Sequence, residues 1–162
     1  MVRVPTRYFP KHLSKKDKRT IREELKRSRR RYKHGNYHRR KSVKSFKGKP
    51  SKWTHKIREV YSIPADAKLS LSMLEKKTKC NKKGMVKIIS KGKGAYFSSG
   101  SRPNQTPTSW GVARLYSALS GGPSSIVDIG VLQDHCAKNS KAVKLAKKRR
   151  KKKKPHQRTS FL

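Results

Sequence analysis

Residues Gly94–Gly111 read GAYFSSGSRPNQTPTSWG, and Arg102 is their only charged member. Around them lies a chain of 162 residues with 46 Lys+Arg against 8 Asp+Glu, a formal net charge of +38. A run that nearly excludes charge from so basic a chain marks backbone that packs closely, because a charge buried without a partner is costly. The neutrality continues: from Gly94 to Ala137, Arg102 and Arg114 are balanced by Asp128 and Asp134. This island is the expected seat of tertiary packing. Within it Pro103, Pro107 and the intervening Asn-Gln-Thr predict turns, and Thr108 or Ser109 is expected to cap a helix carrying Trp110, Ala113, Tyr116 and Leu119. Gly121, Gly122 and Pro123 then stop that helix. Tyr96, Phe97 and Trp110 are the expected packing residues of a folded-back loop, with Trp53 as a further anchor upstream. Arg102 is either a core element or a specific anchor in an uncharged groove.

Outward from the island the charge climbs on both sides. Residues 1–60 hold 23 basic and 4 acidic residues, and residues 138–162 hold 12 basic and none acidic. The charge pattern divides the chain into a basic arm over 1–63 with two short helices, a small mainly helical domain over 64–137, and a polybasic tail over 138–162. Hydrophobic residues make up 31%, below the roughly 45–50% apolar content of ordinary globular domains, so the core is expected to be small. Residues 1–20 lack the apolar core of a secretory signal, which predicts a soluble chain made in the cytosol. Cys80 and Cys136 show no CxxC spacing and are expected to be reduced, partly buried thiols.

In the arm, Ser14 stands three residues before Asp17, and Ile21, Leu25 and Tyr32 recur at helical spacing up to Gly35. Ser51 opens a second helix with Trp53, Ile57, Val60 and Tyr61 on one face, ended by Ile63-Pro64. The connector GNYHRRKSVKSFKGKP alternates cations with Tyr37, Val43 and Phe46, which suits either an extended segment along an anionic groove or a solvated linker. Further on, Leu74, Cys80, Met85 and Ile88 are spaced like the buried positions of a helix-turn-helix with TKCN at the turn, and equally like those of a plain helical hairpin. In the first case Lys82, Lys83 and Lys87 face phosphates or bases. Residues 91–94, KGKG, predict a loop, without the GxxxxGK[ST] pattern of a phosphate-binding P-loop.

The candidate polyanion or partner contacts are Arg29, Arg30 and Arg31 in the first helix, Arg39, Arg40 and Lys41 in the connector, Lys82, Lys83, Lys87 and Arg102. To these the tail adds Lys147, Lys148, Arg149, Arg150, Lys151, Lys152, Lys153 and Lys154, whose mutual repulsion predicts mobility beyond a short helix starting near Ser140. No pair of carboxylates is placed for acid/base work and the six histidines show no metal spacing, so no enzyme, cofactor, metal or small-molecule substrate is expected.

KGKGAYFSSGSRPNQTPTSWGVARLYSALSGG, with RYFPKHLSKKDK, SRRRYKHGNYHRRKSVKSFKGK and NSKAVKLAKK, resembles an uncharacterised basic domain family of large nucleocytoplasmic DNA viruses, the phycodnavirus and mimivirus relatives. The resemblance runs from about Arg7 to Lys148 and brings no catalytic residues. It implies a virion structural protein, made in the host cytoplasm with nuclear entry open to it. A minor capsid protein would fasten neighbouring capsid subunits through its basic arms, with the major capsid protein and other minor capsid proteins as partners. Viral DNA or the anionic surface of an internal membrane is the other expected contact. In the alternative role, the same cations condense DNA without sequence preference.

Overall fold

The structure, a computed structural model, describes residues 5–152. It is mainly helical. A 3-10 turn at Thr6–Tyr8 precedes α1 (Lys15–Lys33), α2 (Lys52–Tyr61), α3 (Leu71–Thr78), α4 (Lys82–Ser98), α5 (Pro107–Leu119), α6 (Ser124–Val127), α7 (Ile129–His135) and α8 (Lys141–Lys152). None of the helices among the described residues is long and apolar enough to cross a membrane.

Local chemistry starts the helices where the sequence places their caps. Ser14 Oγ accepts from Asp17 N–H at 3.1 Å, and the Asp17 carboxylate accepts from Ser45 N–H at 2.8 Å and Ser45 Oγ at 2.6 Å. Ser51 caps α2 by accepting from Trp53 N–H. Helix α5 begins earlier than expected: Thr106 Oγ1 accepts from Ser109 N–H and Ser109 Oγ from Thr106 N–H, both at 3.0 Å. This reciprocal cap leaves Pro107 as the first helical residue, where its missing N–H costs nothing. Residues 91–94 are not a loop. They lie inside α4, because Gly92 faces Gly111 on α5, where a Cβ on Gly92 would sit 2.5 Å from the Gly111 Cα.

The described residues form two compact units, one from the chain through Lys49 together with Lys93–Trp110, the other from Pro50–Gly92 together with the chain from Gly111 onward. The boundaries suggested by charge, at 63 and 137, both fall inside the second unit. One core explains this: Ile57 and Tyr61 of α2, Leu74 of α3, Met85 and Ile88 of α4, Leu115 and Leu119 of α5 and Ala142, Val143 and Ala146 of α8 are buried together. Charge follows solvent exposure, whereas unit boundaries follow the buried stripe, and α8 carries both. The lysines and arginines of residues 147–152 therefore continue a packed helix; Lys153 and Lys154 lie outside the described residues.

The first unit has its own core of Tyr8, Phe9, Leu13, Ile21, Leu25 and Val43, with Phe46 and Trp110 packed against it. Residues 5–49 therefore do not lie apart as an extended arm, and the connector is neither a strand nor a free linker. Asn104 holds it: Val43 N–H donates to Asn104 Oδ1 at 2.8 Å, and Asn104 Nδ2 donates to Val43 O at 2.9 Å and Phe46 O at 3.1 Å. Trp110 is only half-buried, edge-on to Tyr8 at 6.0 Å. Tyr96, 1% exposed, fills the central place instead, and it stands at the end of α4 rather than in a loop.

In the second unit, Cys80 and Cys136 are joined by a disulfide, where the sequence predicts reduced thiols. Spacing says nothing of partners 56 residues apart. The fold aligns them by antiparallel hydrogen bonds on either side, Asn81 N–H to His135 O and Ala137 N–H to Lys79 O, each 2.9 Å. A second tie is ionic. Asp128, fully buried, receives Arg114 in a two-pronged contact at 2.8 and 2.9 Å, with Lys91 Nζ 3.6 Å away.

Candidate polyanion-binding surface

Two of the candidate cations are turned inward. The last carbonyls of a helix have no partner within it, and in α4 they are met by α1 and the connector. Ser28 Oγ donates to Phe97 O at 3.3 Å, Arg29 Nη2 to Ser99 O at 2.5 Å, and Arg40 Nη1 to Tyr96 O at 2.6 Å. Arg40 also donates to Ser28 Oγ at 3.2 Å and Ser101 Oγ at 2.6 Å, and its guanidinium lies 3.7 Å from the Tyr96 ring centre. Burial pushes the pKa of both arginines down, with nearby Tyr8 opposing it at Arg29 and Tyr96 at Arg40. Both stay charged, since a guanidinium does not lose its proton in a folded protein. Positive charge at a helix C-terminus is favourable, so Arg29 and Arg40 complete the fold.

This geometry accounts for the uncharged run. Gly100 (φ +108°) lies so close to α1 that a Cβ there would meet Leu25 at 2.6 Å. Ser101, 2% exposed, and Asn104 supply neutral acceptors and donors to the connector. Arg102, by contrast, is exposed.

Beside this contact, Glu24 is 4% exposed and gathers three donors: Lys41 N–H at 2.9 Å, His38 Nε2 at 2.9 Å and Arg27 Nη1 at 3.1 Å. Burial raises its pKa, but the Lys41 and His38 hydrogen bonds and the charges of His38 and Arg27 outweigh that and hold the carboxyl below its ordinary 4.5.

With Ile21, Leu25 and Ser28 turned to the core, α1 turns its other side to solvent. There Lys15, Lys16, Arg19, Arg22, Lys26, Arg27, Arg30, Arg31 and Lys33 are all exposed. Among the described residues, only Arg19 and Arg27 of this row form ion pairs, with Glu23 and Glu24. The helix has 19 residues and is about 28 Å long. Most of these residues were absent from the sequence-based candidates, yet the spacing of Ile21 and Leu25 already defines the opposite face. Arg39 and Lys41 are also exposed.

In the second unit, Leu74, Cys80, Met85 and Ile88 are all buried, as the hairpin spacing requires. Lys82, Lys83 and Lys87 are exposed on the first turns of α4 beside Val86, which is 49% exposed. Lys82 is partly engaged: its N–H donates to Glu75 Oε1 at 3.1 Å and its Nζ lies 3.9 Å from Glu75 Oε2. Lys147, Lys148, Arg149, Arg150, Lys151 and Lys152 are exposed along α8, with Arg149 Nη1 donating to Gly121 O at 3.2 Å. Trp53 is half-buried and packs on Gly122. Among the described residues no three His, Cys, Asp or Glu side chains gather as a metal site.

Fold and surface thus define a strongly basic, mainly helical protein of two folded units with cations concentrated on helix faces. The chain belongs to a family of unknown function (DUF5824), which matches it over residues 5–125. The match takes in Cys80 and ends before α7, Cys136 and α8. No curated protein and no solved structure matches the chain.

Proposed function

We propose that the chain is a structural protein that binds nucleic acid without reading its sequence, neutralising backbone phosphates with exposed helix faces. The observation that carries this reading is the outer side of α1, where seven exposed cations stand along one helix outside any ion pair among the described residues. A rigid row of cations engages phosphates by releasing counterions, a term indifferent to base identity. The exposed cations of α4 and α8 add to it. If roughly 6–10 phosphates are contacted, affinity for any duplex falls by about 10³–10⁵ between about 50 and 200 mM salt. Fluorescence anisotropy with two unrelated duplexes tests this. A flat salt response removes the reading, and strong preference for one duplex moves it to the helix-turn-helix spacing of α3 and α4.

Attachment to a capsid stands as a second reading, favoured by Tyr37. Its ring is 71% exposed, leans on Phe97 at 5.0 Å and stands two residues before the exposed Arg39. A rigid aromatic beside cations suits an anchor on an acidic protein surface, as the undersides of capsid subunits would offer. Fractionating intact virions distinguishes the two: the shell fraction supports capsid attachment, the DNA-bearing core supports nucleic-acid binding.

A further inference from the structure

An open cleft of about 360 Å³ in the second unit is lined by Val60, Tyr61 and Ser62 after α2, Lys77, Thr78 and Lys79 after α3, and Asn139, Ser140 and Lys141 where α8 begins. We propose that this cleft binds a phosphate group, held by Lys77, Lys79 and Lys141. The inference rests on the nucleic-acid reading only for its wider setting.

The charge in the cleft is one-sided. None of its lining residues is acidic, and among the described residues neither Lys77 nor Lys79 forms an ion pair. The three lysines are all exposed. Lys141 is already positioned there, its Nζ donating to Val60 O at 2.6 Å and lying 5.9 Å from the Tyr61 ring centre. The ends of α2 and α3 bring partial negative charge to the rim, and Lys141 answers that of α2. Lys77 and Lys79 are the surplus. Ser140, 1% exposed, caps α8 by accepting from Val143 N–H at 3.3 Å. The earlier N–H groups of that helix lack intrahelical acceptors.

The walls of the cleft are also fixed. Lys79 O accepts from Ala137 N–H at 2.9 Å, and the next residue, Cys80, is bonded to Cys136, so the segment from Lys77 to Lys79 and the segment leading to Lys141 are held together covalently. A preformed cleft loses less entropy on binding than one assembled by its ligand.

Inorganic pyrophosphate titrated into the full chain at low salt, followed by backbone amide resonances, is the test. Shifts are expected at Lys79, Asn139, Ser140 and Lys141 with those of Lys83 and Lys87 unmoved. The double variant Lys77→Gln/Lys79→Gln should lose about tenfold or more in affinity, the scale of one lost charge-assisted hydrogen bond. A short single-stranded oligonucleotide then identifies the source: displacement of pyrophosphate points to a nucleic-acid phosphate, coexistence to a free phosphate compound, and both support the cleft. Shifts spread evenly over all exposed lysines overturn it, as does unchanged affinity in the folded double variant. Should the variant not fold, the wild-type resonance map decides alone. Duplex binding measured separately keeps the outcomes apart, since the α1 face and the cleft fail independently.

Discussion

Arg39, Arg40 and Lys41 are three neighbouring cations with opposite fates. Arg39 and Lys41 are exposed, while Arg40 spans Ser28, Tyr96 and Ser101. No local property of the sequence separates them; the end of α4 selects Arg40, and that end is supplied from 56 residues away. Arg40→Ala should therefore cost about 2–4 kcal/mol, from hydrogen bonds to a charged group and the carbonyls left unmet. Arg39→Ala should leave stability within about 0.5 kcal/mol and weaken duplex binding instead. Thermal denaturation and anisotropy on the pair check both expectations. Glu24 gives a pH signature. Its carboxyl is held below the unfolded value near 4.5, so the stability it adds is full above that value and is lost as pH falls through the lower folded pKa. In Glu24→Gln, acid unfolding followed by circular dichroism should depend less steeply on pH below about 4.5, against a lower neutral stability.

Helices were legible where a local rule fixes them. Ser14 with Asp17, Ser51 before α2, and the buried series Leu74, Cys80, Met85 and Ile88 were all readable, because caps and periodic stripes are properties of a few consecutive residues. The continuation of α4 through KGKG was not, since glycines suggest a loop unless another backbone needs their space. Here one does: a Cβ on Gly111 would meet Ile89 O at 2.6 Å, and backbone cannot turn aside as a side chain can. Gly111→Ala is expected to cost about 1–3 kcal/mol by overpacking, although alanine favours helix. Gly130→Ala, where nothing lies within 4 Å, should stabilise by about 0.5–1 kcal/mol. A gain at both positions in thermal unfolding would mean that α4 and α5 do not approach so closely. Short α6 and α7 escaped notice because four and seven residues carry too little of a helical period to register.

At the scale of the molecule, charge proved a good guide to the surface and a poor one to the folded units. The basic first helix closes one unit and the basic last helix another, because each hides a narrow apolar stripe beneath its cations. The disulfide was the least legible feature, as two cysteines 56 residues apart offer no pattern. A loop of that length, closed in the unfolded chain, contributes about 4 kcal/mol by chain entropy. Cys80→Ser/Cys136→Ser should lose stability on that scale in urea unfolding, and the wild type should match it once reduced. An unchanged midpoint would show that the second unit holds without its cross-link.

The same bond has a topological result. Between Cys80 and Cys136 the chain leaves the second unit at Gly92, gives Lys93–Trp110 to the first, and returns at Gly111. The whole excursion lies within one covalent ring. A protease site placed in the stretch from Ser99 to Gln105 would let the backbone be severed there, yet the two fragments should migrate as a single species on a denaturing gel. Only added thiol should part them.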